Sequence, residues 1–140
     1  MIVVDTDVVS ELMRPSPSPS VVAWVRASRA SQLHTTAITV AEVLYGIKRL
    51  PEGQRRTVLG TTAREVFSAF SDRVLAFDEP AAEQYAEIVA GREATGRPIS
   101  GFDAQIAAIC RSHGATLATR NAKDFQQTGI AILDPWIARG

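Results

Sequence analysis

Short apolar stretches alternating with amphipathic helical ones predict an α/β fold, with a mostly parallel sheet of four to five short strands flanked by helices on both faces. Three observations carry that expectation. The chain opens on the β-branched run Ile2-Val3-Val4 and turns helical at once. Residues 98–125 (PISGFDAQIAAICRSHGATLATRNAKDF) string together a capped helix, a glycine stop, an apolar strand and a polar turn. Hydrophobic residues make up 46% of the 140, enough to build a core and too many for a disordered chain. The length suits one domain over residues 1–140.

Taken in order, the first strand leads into a helix over residues 6–14, with Val8, Val9 and Leu12 turned to the core. The run PSPSPS (15–20) breaks the chain, because alternate prolines lack backbone donors; with only 14 residues before it, it is a surface loop. Ser18 and Pro19 suit the cap and first position of a helix to about residue 28. Residues 33–37 form the next strand. A helix follows over 39–50, with Val40, Val43, Leu44 and Ile47 on its apolar face and Thr39 and Glu42 at capping-box spacing. Pro51 ends it, and a long helix runs over 54–72, using Val58, Val66, Phe67 and Phe70. Residues 74–77 are a third strand, and Asp78 with Pro80 opens a helix stopped by Gly96 and Pro98. Ser100 caps the next helix, with Asp103 in its first turn. Phe102, Ile106, Ile109 or Cys110, and His113 recur at helical spacing. Gly114 terminates it, residues 115–119 are a covered strand, and 130–133 form a last edge strand closed by Asp134-Pro135.

Composition excludes several classes. Fifteen basic and fifteen acidic residues cancel, so nucleic acid is drawn by a local patch or not at all. Thirteen of the basic residues are arginine, suited to forked phosphate contacts. One cysteine rules out an internal disulfide and fits a reducing cytoplasm. The opening, interrupted by Asp5 and Asp7, is not a signal peptide, and no apolar run approaches a membrane span.

In a parallel sheet, ligands bind outside the carboxyl ends of the strands. Asp5 and the 120–124 turn follow strands, and the helices bearing Glu42 and Asp103 start at the same edge. Two carboxylates about 4 Å apart repel by roughly 4 kcal/mol at an effective dielectric near 20. Gathered, Asp5, Glu42, Asp103 and Asp124 require protons or a divalent cation. All-oxygen donors favour Mg²⁺ or Mn²⁺ over zinc and point to phosphodiester chemistry. Each residue also has a plainer role: Glu42 as capping partner of Thr39, Asp103 as complement to the helix dipole, Asp124 as a turn residue. Asp5 is harder to explain that way, since a charge after an apolar strand is costly without a partner. Asp7 and Glu11, one helical turn apart, suit an outer ring of the site or a solvated face. His34 and His113 have no partner at metal-ligand spacing. Cys110, Trp24 and Trp136 read as packing residues. Arg14, Lys48, Arg49, Arg120 and Lys123 are candidate phosphate contacts, though exposed cations usually just solvate a surface.

The segments VDTDVVSEL (4–12), AEVLYGI (41–47) and DAQIAAICRSHGATLATRNAKDF (103–125) together resemble the PIN-domain ribonucleases, especially the VapC-like toxins of bacterial type II toxin–antitoxin pairs. They occur in the family's order and span nearly the whole chain. The resemblance implies a PIN-like three-layer fold, with Asp5, Glu42, Asp103 and Asp124 as acidic metal ligands. Thr119 and Asn121 match the polar positions of the family's Thr-x-Asn-x-x-Asp-Phe turn. It further implies Mg²⁺-dependent endoribonuclease activity on RNA, homodimers, and inhibition by a small antitoxin that occupies the site. The antitoxin complex would bind operator DNA, chiefly through the antitoxin. Asp7 is a departure, standing where relatives commonly have asparagine and adding a carboxylate. Two other classes compete: a catalytically silent PIN scaffold that holds a partner, and a receiver-like domain suggested by Asp78. The latter would need a basic residue after the last strand, where AILDP has none.

Overall fold

The computed structural model describes residues 1–137. Its strands are β1 (Ile2–Val4), β2 (Leu33–Thr36), β3 (Val74–Leu75), β4 (Thr116–Ala118) and β5 (Ala131–Leu133). They form one sheet in the order β3-β2-β1-β4-β5, and every pairing is parallel. The helices are α1 (Thr6–Leu12), α2 (Pro19–Ala27), α3 (Ala37–Lys48), α4 (Gln54–Ser68), α5 (Glu79–Ala94) and α6 (Gly101–His113).

Strand alternation divides the core. Val3 and Leu117 face α5 and α6 in a cluster with Ile88, Ile106, Ile109 and Phe125. The next residues, Val4 and Ala118, face the opposite way and join Val8, Val9, Val21, Trp24, Val43, Ala63 and Phe70 from α1 to α4 and the turn after α4. The sheet is therefore covered on both faces, in three layers. Each fully buried Val, Leu or Ile contributes about 1.5–3 kcal/mol relative to exposure. The strand order reverses between β1, which leads on to β2, and β4, which lies on β1's other side. That switch point leaves a crevice beyond the carboxyl ends of β1 and β4.

Several boundaries differ from those expected. The helix expected over 39–50 begins two residues earlier, because Thr36, not Thr39, is its cap: the Thr36 hydroxyl accepts the Thr39 N–H at 3.0 Å. The helix expected over 54–72 ends at Ser68, and Ser71 takes a left-handed φ of 49° that reverses the chain into the two-residue β3. Phe102 and His113, expected inward, are exposed, as are Leu44 and Val58. A 13-residue helix is about 20 Å long. The three-residue strand β4 spans about 10 Å, and Phe102 and His113 lie in the first and last turns of the longer helix, while the residues between them from Ala104 to Cys110 carry its buried face. Gly114 does end α6 as a left-handed cap, at φ 61°.

Candidate active site at the carboxyl edge of the sheet

Asp5 is the first residue past β1. Its backbone N–H still bonds to Ala118 O in β4 at 2.9 Å, so the sheet itself delivers it to the crevice. Its side chain is only 4% exposed. One carboxylate oxygen caps α1, accepting the Thr6 N–H at 2.8 Å, and the other accepts the Thr119 hydroxyl at 2.8 Å. Burial, and then the charge of Asp7, push its pKa up to about 7 despite those two bonds.

The other acids approach from three elements. Glu42, one turn into α3, is freed from capping by Thr36, and its Oε1 accepts the Thr6 hydroxyl at 2.8 Å. Asp103 stands at the start of α6, its N–H donating to Ser100 Oγ at 3.2 Å. Burial raises the pKa of both carboxyls. Asp103 also ties the group together electrostatically: its charge raises Asp5 and Glu42, and it is itself raised by Asp124. Asp124 lies exposed in the 3-10 turn Ala122–Phe125, so it reaches the cluster from the solvent side. The four carboxylates thus share one field. Among the described residues, no three His, Cys, Asp or Glu side chains already form a metal-holding cluster.

Around this centre the predicted supporting residues divide. Thr119 is fully buried and bonded to Asp5. Asn121 acts through its backbone, its N–H donating to Thr119 Oγ1 at 3.0 Å while its carbonyl accepts the Asp124 N–H. Asp7 Oδ2 accepts the Arg120 N–H at 2.8 Å, whereas its Oδ1 is buried with no partner among the described residues. Burial raises this carboxyl as well. Hard oxygen donors, a carboxylate desolvated beside like charges and an orphaned carboxylate oxygen are a set that a divalent cation fits.

The basic candidates are scattered. Arg120 lies over the Trp136 ring, 4.1 Å from its centroid, beside the site. Arg14 pairs with Glu11 at 3.2 Å on the rim of a cleft of about 820 Å³ that includes Thr6 and Glu42. Lys48 lines a separate hollow of about 510 Å³, and Arg49 covers Tyr45. Lys123 is exposed beside Asp124. Asp78 caps α5 after an edge strand, which gives it a helix role rather than a receiver-like one. Cys110 is buried, with its thiol pushed up to about 12, and so is inert.

Two contributors were not legible in the sequence. Thr6 links Glu42 to the start of α1; a polar residue between two aspartates was the available signal. Arg92, in the last turn of α5, is 7% exposed and bonds to the Asp124 carbonyl at 2.9 Å. Nothing in its spacing separates it from surface arginines.

The PIN domain family profile matches residues 2–131. The chain belongs to the PIN-domain family. It is 40% identical over 137 residues to VapC ribonuclease Y4jK of Sinorhizobium fredii, covering 97% of this chain and 98% of that one. It is 37% identical to Toxin FitB of Neisseria gonorrhoeae, covering 97% and 99%. The solved structure of FitAB bound to a DNA fragment superposes with a TM-score of 0.91 at 36% identity, over 100% of this chain and 99% of that one. This PIN domain therefore shares its fold with the solved FitAB structure and nearly its full length with relatives named as ribonuclease and toxin. No helix among its described residues is long and apolar enough to cross a membrane.

Proposed function

We propose that this PIN domain is a metal-dependent endoribonuclease that hydrolyses RNA phosphodiester bonds and acts as the toxin of a type II toxin–antitoxin pair. The observation that carries the reading is the Asp5 carboxylate at the switch point of the sheet, raised to about 7 by burial first, then by the charge of Asp7 and, less, of Asp103. Asp5 and Asp103 would be the principal holders of a Mg²⁺ or Mn²⁺ ion, with Glu42 and Asp124 completing the set. When bound, the cation would neutralise charge on the scissile phosphate and acidify the attacking water. The chain's own part is orientation and proton handling. Thr119 and Thr6 each donate their one hydroxyl proton to a carboxylate, fixing Asp5 and Glu42 in place. Glu42, with one oxygen so held and its pKa raised, can take a proton from water through the other. Arg120, pinned on Trp136, offers a preorganised fork to a phosphate.

The relatives' toxin names and the FitAB–DNA complex support an antitoxin partner that in turn contacts operator DNA. The 820 Å³ cleft, lined by Met13, Val43, Ile47, Leu50, Val58 and Leu59, offers an apolar seat for it next to Glu42. A homodimer fits the family expectation, and light scattering of the purified protein measures it.

Protein freed of partners is expected to cut structured RNA in Mg²⁺. Excess EDTA, Asp5→Asn or Asp103→Asn should each reduce cleavage at least about 100-fold while circular dichroism stays native. Full activity in any of these would overturn the reading. An intact RNA with wild type would leave a partner-holding scaffold.

A further inference from the structure

Arg92 is a charged side chain buried under the site, yet none of the ion pairs formed among the described residues involves it. Carbonyl oxygens surround its guanidinium instead. Nε donates to Arg97 O at 2.6 Å, Nη1 to Asp124 O and Gln126 O at 2.9 Å each, and Nη2 to Pro98 O at 3.5 Å. A buried cation is costly unless hydrogen bonds compensate for its lost water, and here four carbonyl dipoles do so. Those carbonyls belong to two separate loops. Residues 97 and 98 lead into the Ser100 cap and Asp103. Residues 124 and 126 carry Asp124 itself. Two exposed contacts join the same segments, Arg97 Nη1 to Gln126 Oε1 at 3.2 Å and Thr95 Oγ1 to Gln127 Oε1 at 3.1 Å. Among the side-chain hydrogen bonds joining these segments in the described residues, those of Arg92 are the buried ones.

We propose that Arg92 is a positioning residue: its forked guanidinium fastens the loop entering α6 to the loop bearing Asp124, and so holds Asp103 and Asp124 in a fixed relation to each other at the edge where they would hold the cation. This rests on the metal-dependent nuclease reading and adds to it a residue that touches neither substrate nor metal. A lysine would keep the charge but not the planar fork that reaches both loops at once.

The test compares wild type with Arg92→Lys. Titration with Mn²⁺, read by the electron paramagnetic resonance of the free ion, should show affinity about tenfold weaker in the variant. The kcat for RNA should fall with KM unchanged, because the substrate surface is intact. Amide exchange should speed up together in residues 97–103 and 124–128 and stay as in wild type along β1. A folded variant that binds Mn²⁺ like wild type overturns the proposal. If the variant does not fold, exchange in wild type decides: one shared opening free energy for the two segments supports the clamp, and independent openings overturn it. Wild type that neither binds Mn²⁺ nor cuts RNA sinks the nuclease reading and this inference with it. Wild type that does both, beside an unaffected variant, removes Arg92 alone.

Discussion

Thr119 has one hydroxyl proton and two carboxylates competing for it, Asp5 Oδ2 at 2.8 Å and Asp7 Oδ2 at 3.2 Å. The shorter contact takes the proton, while the oxygen accepts the Asn121 N–H. Asp7 is then held by the Arg120 backbone, and its second oxygen is left bare. An asparagine at position 7 would bring two donors of its own and one less charge, so Asp7→Asn would remove negative field from beside Asp5. Thr119→Val strips a buried carboxylate of a donor and a buried N–H of an acceptor. It should cost about 1–3 kcal/mol in urea unfolding and lift the Asp5 pKa further. At this scale the acids and Thr119 were legible from residue type and position. Asn121 was legible as a position but not in its role, because whether a side chain or its backbone is used depends on the turn.

At the scale of elements, punctuation carried most of the information. The Ser100 cap, the Pro19 start and the Gly114 stop stand where capping chemistry puts them. Nothing lies within 4 Å of the point where a β-carbon would sit on Gly114, so a Gly114→Ala change would be felt through its φ of 61° alone. It should destabilise by roughly 1 kcal/mol, measured by thermal or urea unfolding, with no change in metal or RNA affinity. Where two caps were plausible, the local pattern misled. Thr36 and Thr39 both precede an apolar run, and Thr39-Glu42 has capping-box spacing. The strand β2 ends at Thr36, and that decides which threonine is extended and free to cap. Glu42 is released to the site by this choice. Phe102 and His113 point outward because they stand in the end turns of α6, while its buried residues run from Ala104 to Cys110, a limit that helical periodicity does not reveal.

Over the whole molecule, the acidic crevice makes stability depend on pH and on cations. Asp5 is near its ordinary carboxylate value when unfolded and at about 7 when folded. Between those values the folded state holds more protons than the unfolded one, so stability falls as pH rises through that window and is lowest above it. Metal-free protein should therefore melt on the order of 5 °C higher at pH 5 than at pH 8. Millimolar Mg²⁺ should raise the melting temperature at pH 8 and do less at pH 5, where protons compete. Calorimetry across that range with and without the ion measures both. A flat profile would mean that burial and its neighbours do not raise Asp5 in the folded state.

The chain's own order of residues determined the layered α/β plan, the candidate acids and most of the places where helices start and stop. All three follow from local forces: strand and helix periodicity, capping, and the cost of charge next to apolar runs. Only the tertiary structure decided how those acids meet. Asp103 bears on Asp5 and Glu42 through its charge, Glu42 is free because β2 ends at Thr36, and the Asp124 carbonyl accepts from Arg92 on a helix remote in sequence. Contacts of that kind depend on distances between elements, and neighbouring residues carry no record of them.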